Sequence, residues 1–88
     1  LVKTANYTAS SGELVVAAVG GITITLPASP SVGDHVSIKD GTGAASTTTF
    51  TVASNGSNLG SFATDLTFNQ NWKEIRMVYI NSTIGWSV

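Results

Sequence analysis

The run Ile22-Thr23-Ile24-Thr25-Leu26-Pro27 constrains this chain more than any other stretch. Apolar side chains alternate with threonines, a period of two that gives a strand one apolar and one hydroxylated face. Pro27 ends the strand because it has no N–H to give to a ladder. Pro30 and Gly33 shape a corner. Val36 and Ile38 then alternate with Ser37 and Lys39 until Asp40-Gly41 closes a second strand. Helix signals are nearly absent elsewhere: Thr, Ser and Val dominate, and glycines interrupt at short intervals. This pattern predicts an all-β chain, a small antiparallel β-sandwich or jelly-roll-like domain of about seven to eight short strands.

Strands are expected at residues 2–9, 13–19, 22–26, 34–39, 49–53, 66–68, 72–80 and 85–88. Gly20-Gly21 reads as the two-residue loop of a hairpin joining 13–19 to 22–26, because glycine tolerates the positive φ of the primed turns. Within 13–19, Leu14, Val16 and Ala18 share one face, and Val15, Ala17 and Val19 the other. Both faces are apolar, so both are expected to be covered. Within 72–80, Ile75, Met77 and Tyr79 share one face, and Trp72, Glu74, Arg76, Val78 and Ile80 the other. That second, mixed face is the pattern of a partner contact or a sheet edge. Trp86 reads as core, and Trp72, after the polar turn Asn69-Gln70-Asn71, as an exposed ring.

Size then raises the question of what stabilises such a fold. A chain of 88 residues buries only about 60–65% of its unfolded surface. The absence of cysteine excludes disulfides and thiolate zinc sites, and the single His35 excludes a histidine-rich metal site. Association remains, so residues 1–88 are expected to be one β domain within a larger or oligomeric assembly. The start at Leu1 rather than Met implies a piece of a longer or processed product. Charged residues make up 10% of the chain and the formal net charge is -1. Lys3, Lys39, Lys73 and Arg76 are scattered, apart from the last pair, which is no footprint for nucleic acid. No apolar run approaches the roughly 20 residues of a membrane span.

Residues with catalytic chemistry are few. Asp34-His35 is the one adjacent acid–imidazole pair, but neighbours in a strand point to opposite faces, and Gly33-Asp34 reads as a turn in which Asp caps backbone N–H groups. Serines are abundant, yet no nucleophile elbow is present. Gly41 and Gly43 lack the Gly-Lys-Ser/Thr of a phosphate loop. Asp40-Gly41-Thr42-Gly43 opens like a calcium loop but lacks its later acidic ligands. Asn6-Tyr7-Thr8, Asn55-Gly56-Ser57 and Asn81-Ser82-Thr83 match the glycosylation pattern and read as turn and edge asparagines. The expectation is a chain that is not an enzyme, with no catalytic residue, metal or cofactor.

Three segments, in order, resemble a known group. Ile22-Thr23-Ile24-Thr25-Leu26-Pro27-Ala28-Ser29-Pro30-Ser31-Val32-Gly33-Asp34 resembles a segment common in bacteriophage virion proteins: tail-fibre, tailspike, and head-fibre or capsid-decoration chains. Phe50-Thr51-Val52-Ala53-Ser54-Asn55-Gly56-Ser57-Asn58-Leu59 is similar to the next strand and Asn-Gly turn of those proteins. Val78-Tyr79-Ile80-Asn81 followed by Gly85-Trp86-Ser87-Val88 is similar to their closing hairpin. The resemblance covers residues 7–88 and departs at Asn69-Gln70-Asn71-Trp72-Lys73-Glu74, where small polar residues are expected.

The resemblance implies a non-enzymatic structural module of the virion, on a fibre or the capsid surface, trimeric and in contact with other virion proteins. Val15, Ala17, Val78 and Ile80, with Trp72 at the rim, are the candidates for the oligomer contact. The alternative is a receptor-binding tip that recognises host surface glycan. There Trp72 would be the stacking ring, and Asn69, Gln70 and Asn71 the hydrogen-bonding partners. On either reading, functional specificity is expected around Trp72 and the 40–48 loop.

Overall fold

A computed structural model describes residues 1–88. Its strands are β1 (Val2–Lys3), β2 (Tyr7–Thr8), β3 (Leu14–Ala17), β4 (Thr23–Thr25), β5 (His35–Asp40), β6 (Phe50–Ala53), β7 (Leu66–Phe68), β8 (Glu74–Asn81) and β9 (Gly85–Trp86). They form a five-stranded sheet of order β1-β3-β5-β8-β9 and a four-stranded sheet of order β2-β4-β6-β7. From β1 to β6 the chain changes sheet at every connection. Each of β2, β3, β4 and β5 is thereby the crossover between two parallel neighbours on the opposite sheet. Parallel pairing normally needs a connection of about a dozen residues or more, commonly a helix; here a strand supplies it.

The fold is all-β, as expected, but the sheets are mixed rather than antiparallel. The pairs β1–β3, β2–β4, β3–β5 and β4–β6 are parallel; β5–β8, β6–β7 and β8–β9 are antiparallel. Gly20-Gly21 is not a hairpin loop, because β3 and β4 belong to different sheets and the two glycines carry the chain from one to the other. The strand count rises to nine because the expected 2–9 strand divides at a bend into β1 and β2, one on each sheet.

Alternation decides what is buried. Val15 and Ala17 of β3, Val36 and Ile38 of β5, Met77 of β8 and Trp86 of β9 point inward from the first sheet. Ile24, Phe50, Val52 and Phe68 point inward from the second, and all belong to one apolar cluster. Phe50 and Phe68 stack with centroids 4.6 Å apart and planes 14° apart. Only one face of β3 is covered: Leu14 is 42% exposed and Val16 half-buried. Within a single chain the core covers β3 on one side only, so its second apolar face is open. On the outer surface of the second sheet, Thr23, Thr51 and Thr67 stand in one cross-strand row, a polar pairing suited to that surface.

Candidate functional site

Inward parity runs Val36, Ile38, Asp40 along β5, so a carboxylate occupies a core position and Asp40 is fully buried. A charge there requires hydrogen-bond partners. Oδ1 accepts the Thr42 N–H at 2.9 Å and the Thr42 hydroxyl at 2.7 Å. Oδ2 accepts the Trp72 N–H at 3.1 Å and the Ala45 N–H at 3.4 Å. Burial alone pushes the carboxyl upward in pKa. The bonds from Thr42, Trp72 and Ala45 outweigh it and hold the pKa at about 2. This side chain therefore joins the 40–48 loop to the turn at 69–73.

Other bonds reinforce the junction. The Lys39 ammonium donates to the Trp72 carbonyl at 2.7 Å. The Ser46 N–H donates to Asn71 Oδ1 at 2.9 Å, and the Asp40 N–H to the Lys73 carbonyl at 3.0 Å. So fixed, Trp72 adopts φ 61°, a conformation that is a genuine outlier for a bulky residue. Its ring lies over Gly43, where a Cβ would collide with it, and the residue is 60% exposed.

The turn also walls a cavity of about 110 Å³. Leu66, Phe68 and Ile75 form its apolar part, and Asn69, Gln70 and Lys73 stand at its rim with Thr67. A second group of ionisable residues has a structural role. The Tyr7 hydroxyl donates to both Glu13 oxygens at 2.9 and 3.0 Å, and the Ser10 N–H donates to Oε1 at 2.7 Å. The Ser10 bond foremost lowers the Glu13 pKa, and the bond to Glu13 raises that of Tyr7. The Lys3 ammonium sits 4.0 Å from the Tyr7 ring centroid.

The candidate residues fall into three sets. Trp72 is exposed, and Asn69 and Gln70 border the cavity, whereas Asn71 is engaged by Ser46. Val78 is half-buried and Ile80 40% exposed on the outer face of β8, with Trp72 off the strand in the preceding turn. Val15 and Ala17 have no exposed surface and cannot reach a partner. Their alternates Leu14 and Val16 occupy the outer face instead.

Asp34 caps the Ser31 N–H at 2.9 Å, and His35 lies opposite Val78, so this pair is turn and strand chemistry. Asn6, Asn55 and Asn81 bind backbone groups of Thr23, Leu26, and Thr83 with Ile84, respectively. No three His, Cys, Asp or Glu side chains come together. Sequence reasoning missed Lys73 as a cavity residue, and it missed the bridging role of Asp40. Parity with Val36 and Ile38 was the signal for the second. No family model matches the chain, and no curated protein matches it in sequence.

Proposed function

We propose that this chain is a non-enzymatic structural module of a bacteriophage virion, a fibre or capsid-decorating β-sandwich that assembles as a trimer. The virion assignment rests on the three ordered segments that resemble such proteins. The assembly rests on one observation, the outer face of the five-stranded sheet. Val2 is 69% exposed there and pairs with Val16, and Leu14 lies opposite Ser37. Val78 and Ile80 stand at the far side of Ser37 and Arg76. These apolar side chains flank a polar strip of Ser37, Lys39, Glu74 and Arg76, and exposed apolar residues rimmed by polar ones suit an interaction face. In this reading the two sheets are the layers of the sandwich, and neighbouring copies cover the first layer. Mass photometry at nanomolar concentration is expected to give a trimer; a stable, folded monomer would refute it.

A second reading, a receptor-binding tip for host surface glycan, is favoured by the backbone of Trp72. Strained conformations persist where surrounding structure enforces them, and they cluster at ligand-contacting sites. Here the enforced conformation holds an indole ring in solvent. Cell-binding and glycan-array signals are expected for the wild type and reduced for Trp72→Ala. Blank results for both proteins would remove this reading.

A further inference from the structure

The polar side chains of the 69–73 turn divide into two groups. Asn71 and the backbone of Trp72 bind the 40–48 loop and its anchor Asp40. Asn69, Gln70 and Lys73, together with Thr67, border the cavity instead. None of these four side chains makes a hydrogen bond within the chain. Only the backbone closes the turn there, the Lys73 N–H donating to the Gln70 carbonyl at 3.4 Å. Two amides, a hydroxyl and an ammonium thus surround one recess with their hydrogen-bonding capacity free.

We propose that this cavity binds a single carboxylated pyranose, a hexuronate unit of an acidic surface polysaccharide. The inference rests on the receptor-binding reading and moves its centre from the Trp72 ring to Lys73.

Size, lining and charge each favour that ligand. The cavity of about 110 Å³ is smaller than the roughly 150 Å³ that encloses an unsubstituted six-membered ring, so it receives one face of a single sugar, and its open mouth leaves the substituents and the rest of a glycan in solvent. Its apolar floor is preformed, because Phe68 is fixed by stacking on Phe50 and Leu66 and Ile75 pack against the core. Such a floor suits the C–H face of a pyranose. Asn69 and Gln70 each offer a donor and an acceptor, matching vicinal hydroxyls. Lys73 is the one charged lining residue, so an anionic group on the sugar meets an ammonium there.

A peptide fits less well. The cavity lies beside the free edge of β7, but that edge spans only Leu66–Phe68, too short for a ladder with an added strand.

The test is a ¹⁵N–¹H titration of the 88-residue chain with trigalacturonate, free glucuronate, neutral galactotriose and an extended uncharged peptide. Shifts are expected at residues 66–70, 73 and 75 with both uronates. Galactotriose and the Lys73→Gln variant are each expected to bind about tenfold more weakly, the loss of one charge-assisted hydrogen bond. Lys73→Arg is expected to retain affinity, and the side chain is exposed, so neither variant threatens the fold. Equal affinity for charged and neutral trisaccharides, or no shift at these residues with either uronate, would overturn the proposal. So would a response to an extended peptide alone. Cell binding that is lost in Trp72→Ala but unchanged in Lys73→Gln would keep the receptor-binding reading and overturn the cavity.

Discussion

Replacing Asp40 by asparagine tests whether one buried carboxylate holds the candidate site together. The substitution keeps the shape and one acceptor oxygen, which serves the Thr42 N–H and hydroxyl. It turns an NH₂ toward the Trp72 and Ala45 N–H groups, now bound at 3.1 and 3.4 Å. A buried donor left unpaired costs about 1–3 kcal/mol. The Ala45 bond is long and Trp72 is partly exposed, so the expected loss is roughly 2 kcal/mol in total. Linkage gives an independent figure: lowering the pKa from 3.8 to about 2 corresponds to roughly 2 kcal/mol.

The two estimates agree, and the second fixes the pH dependence. A depressed native pKa favours the folded state above the unfolded value of 3.8, and this contribution disappears as pH falls through about 2. Urea denaturation at pH 7 should therefore show Asp40→Asn less stable by roughly 2 kcal/mol, a melting temperature lower by about 10 °C for a domain of this size. The gap between variant and wild type should narrow steadily on acidification. Equal stability at pH 7, or a gap that widens toward low pH, would refute the argument.

Four further perturbations separate the roles of individual residues. Gly43→Ala places a Cβ into the Trp72 indole at a backbone with φ 69°; a loss of about 1–3 kcal/mol and altered tryptophan emission are expected in thermal melts followed by fluorescence. Gly85→Ala meets the Asn58 backbone at φ 73°, where nothing flexible can yield, and should cost more than about 3 kcal/mol, read as loss of the cooperative transition in circular dichroism. Val15→Ala removes fully buried methyl groups and should cost about 1–3 kcal/mol without changing the oligomeric state. Ile80→Glu, on the outer face of β8, should instead leave the monomer folded and shift mass photometry toward monomer.

Much of the fold is legible in the alternation, because period two reports which face of a strand is buried. It placed Ile75, Met77 and Tyr79 of β8 inward and Glu74, Arg76 and Ile80 outward, as the structure has them. Trp86, set between Gly85 and the terminal Val88, reads as core from its neighbours, and its buried ring packs edge-on against Tyr79 at 5.6 Å. Alternation carries no information on strand direction, however, and a parallel neighbour leaves the same pattern as an antiparallel one. Gly20-Gly21 resembles a hairpin loop because hairpin turns and sheet-to-sheet crossings draw on the same small residues. Leu14 and Val16 look like core for a related reason: apolar residues on an outer face are indistinguishable in sequence from buried ones.

The site was legible by region and not by mechanism. The 40–48 loop and Trp72 stand far apart in sequence, and their meeting follows from a single feature of topology. β5 and β8 pair antiparallel with Lys39 opposite Glu74, so the end of β5 lies beside the start of β8. Asp40 is one step beyond that pair at the end of β5, and Lys73 one step before it, just ahead of β8. Had β8 run parallel to β5, the 40–48 loop would have faced the 81–84 turn, and the Asp40 carboxylate would have lacked the Trp72 N–H. A two-residue slip in register would preserve every inward side chain of β8 but carry Trp72 away from Asp40. Alternation alone is thus compatible with several registers, whereas the hydrogen bonds of Asp40 fit only one. The same bonds that fix this register enforce the φ of Trp72 and orient the rim of the cavity.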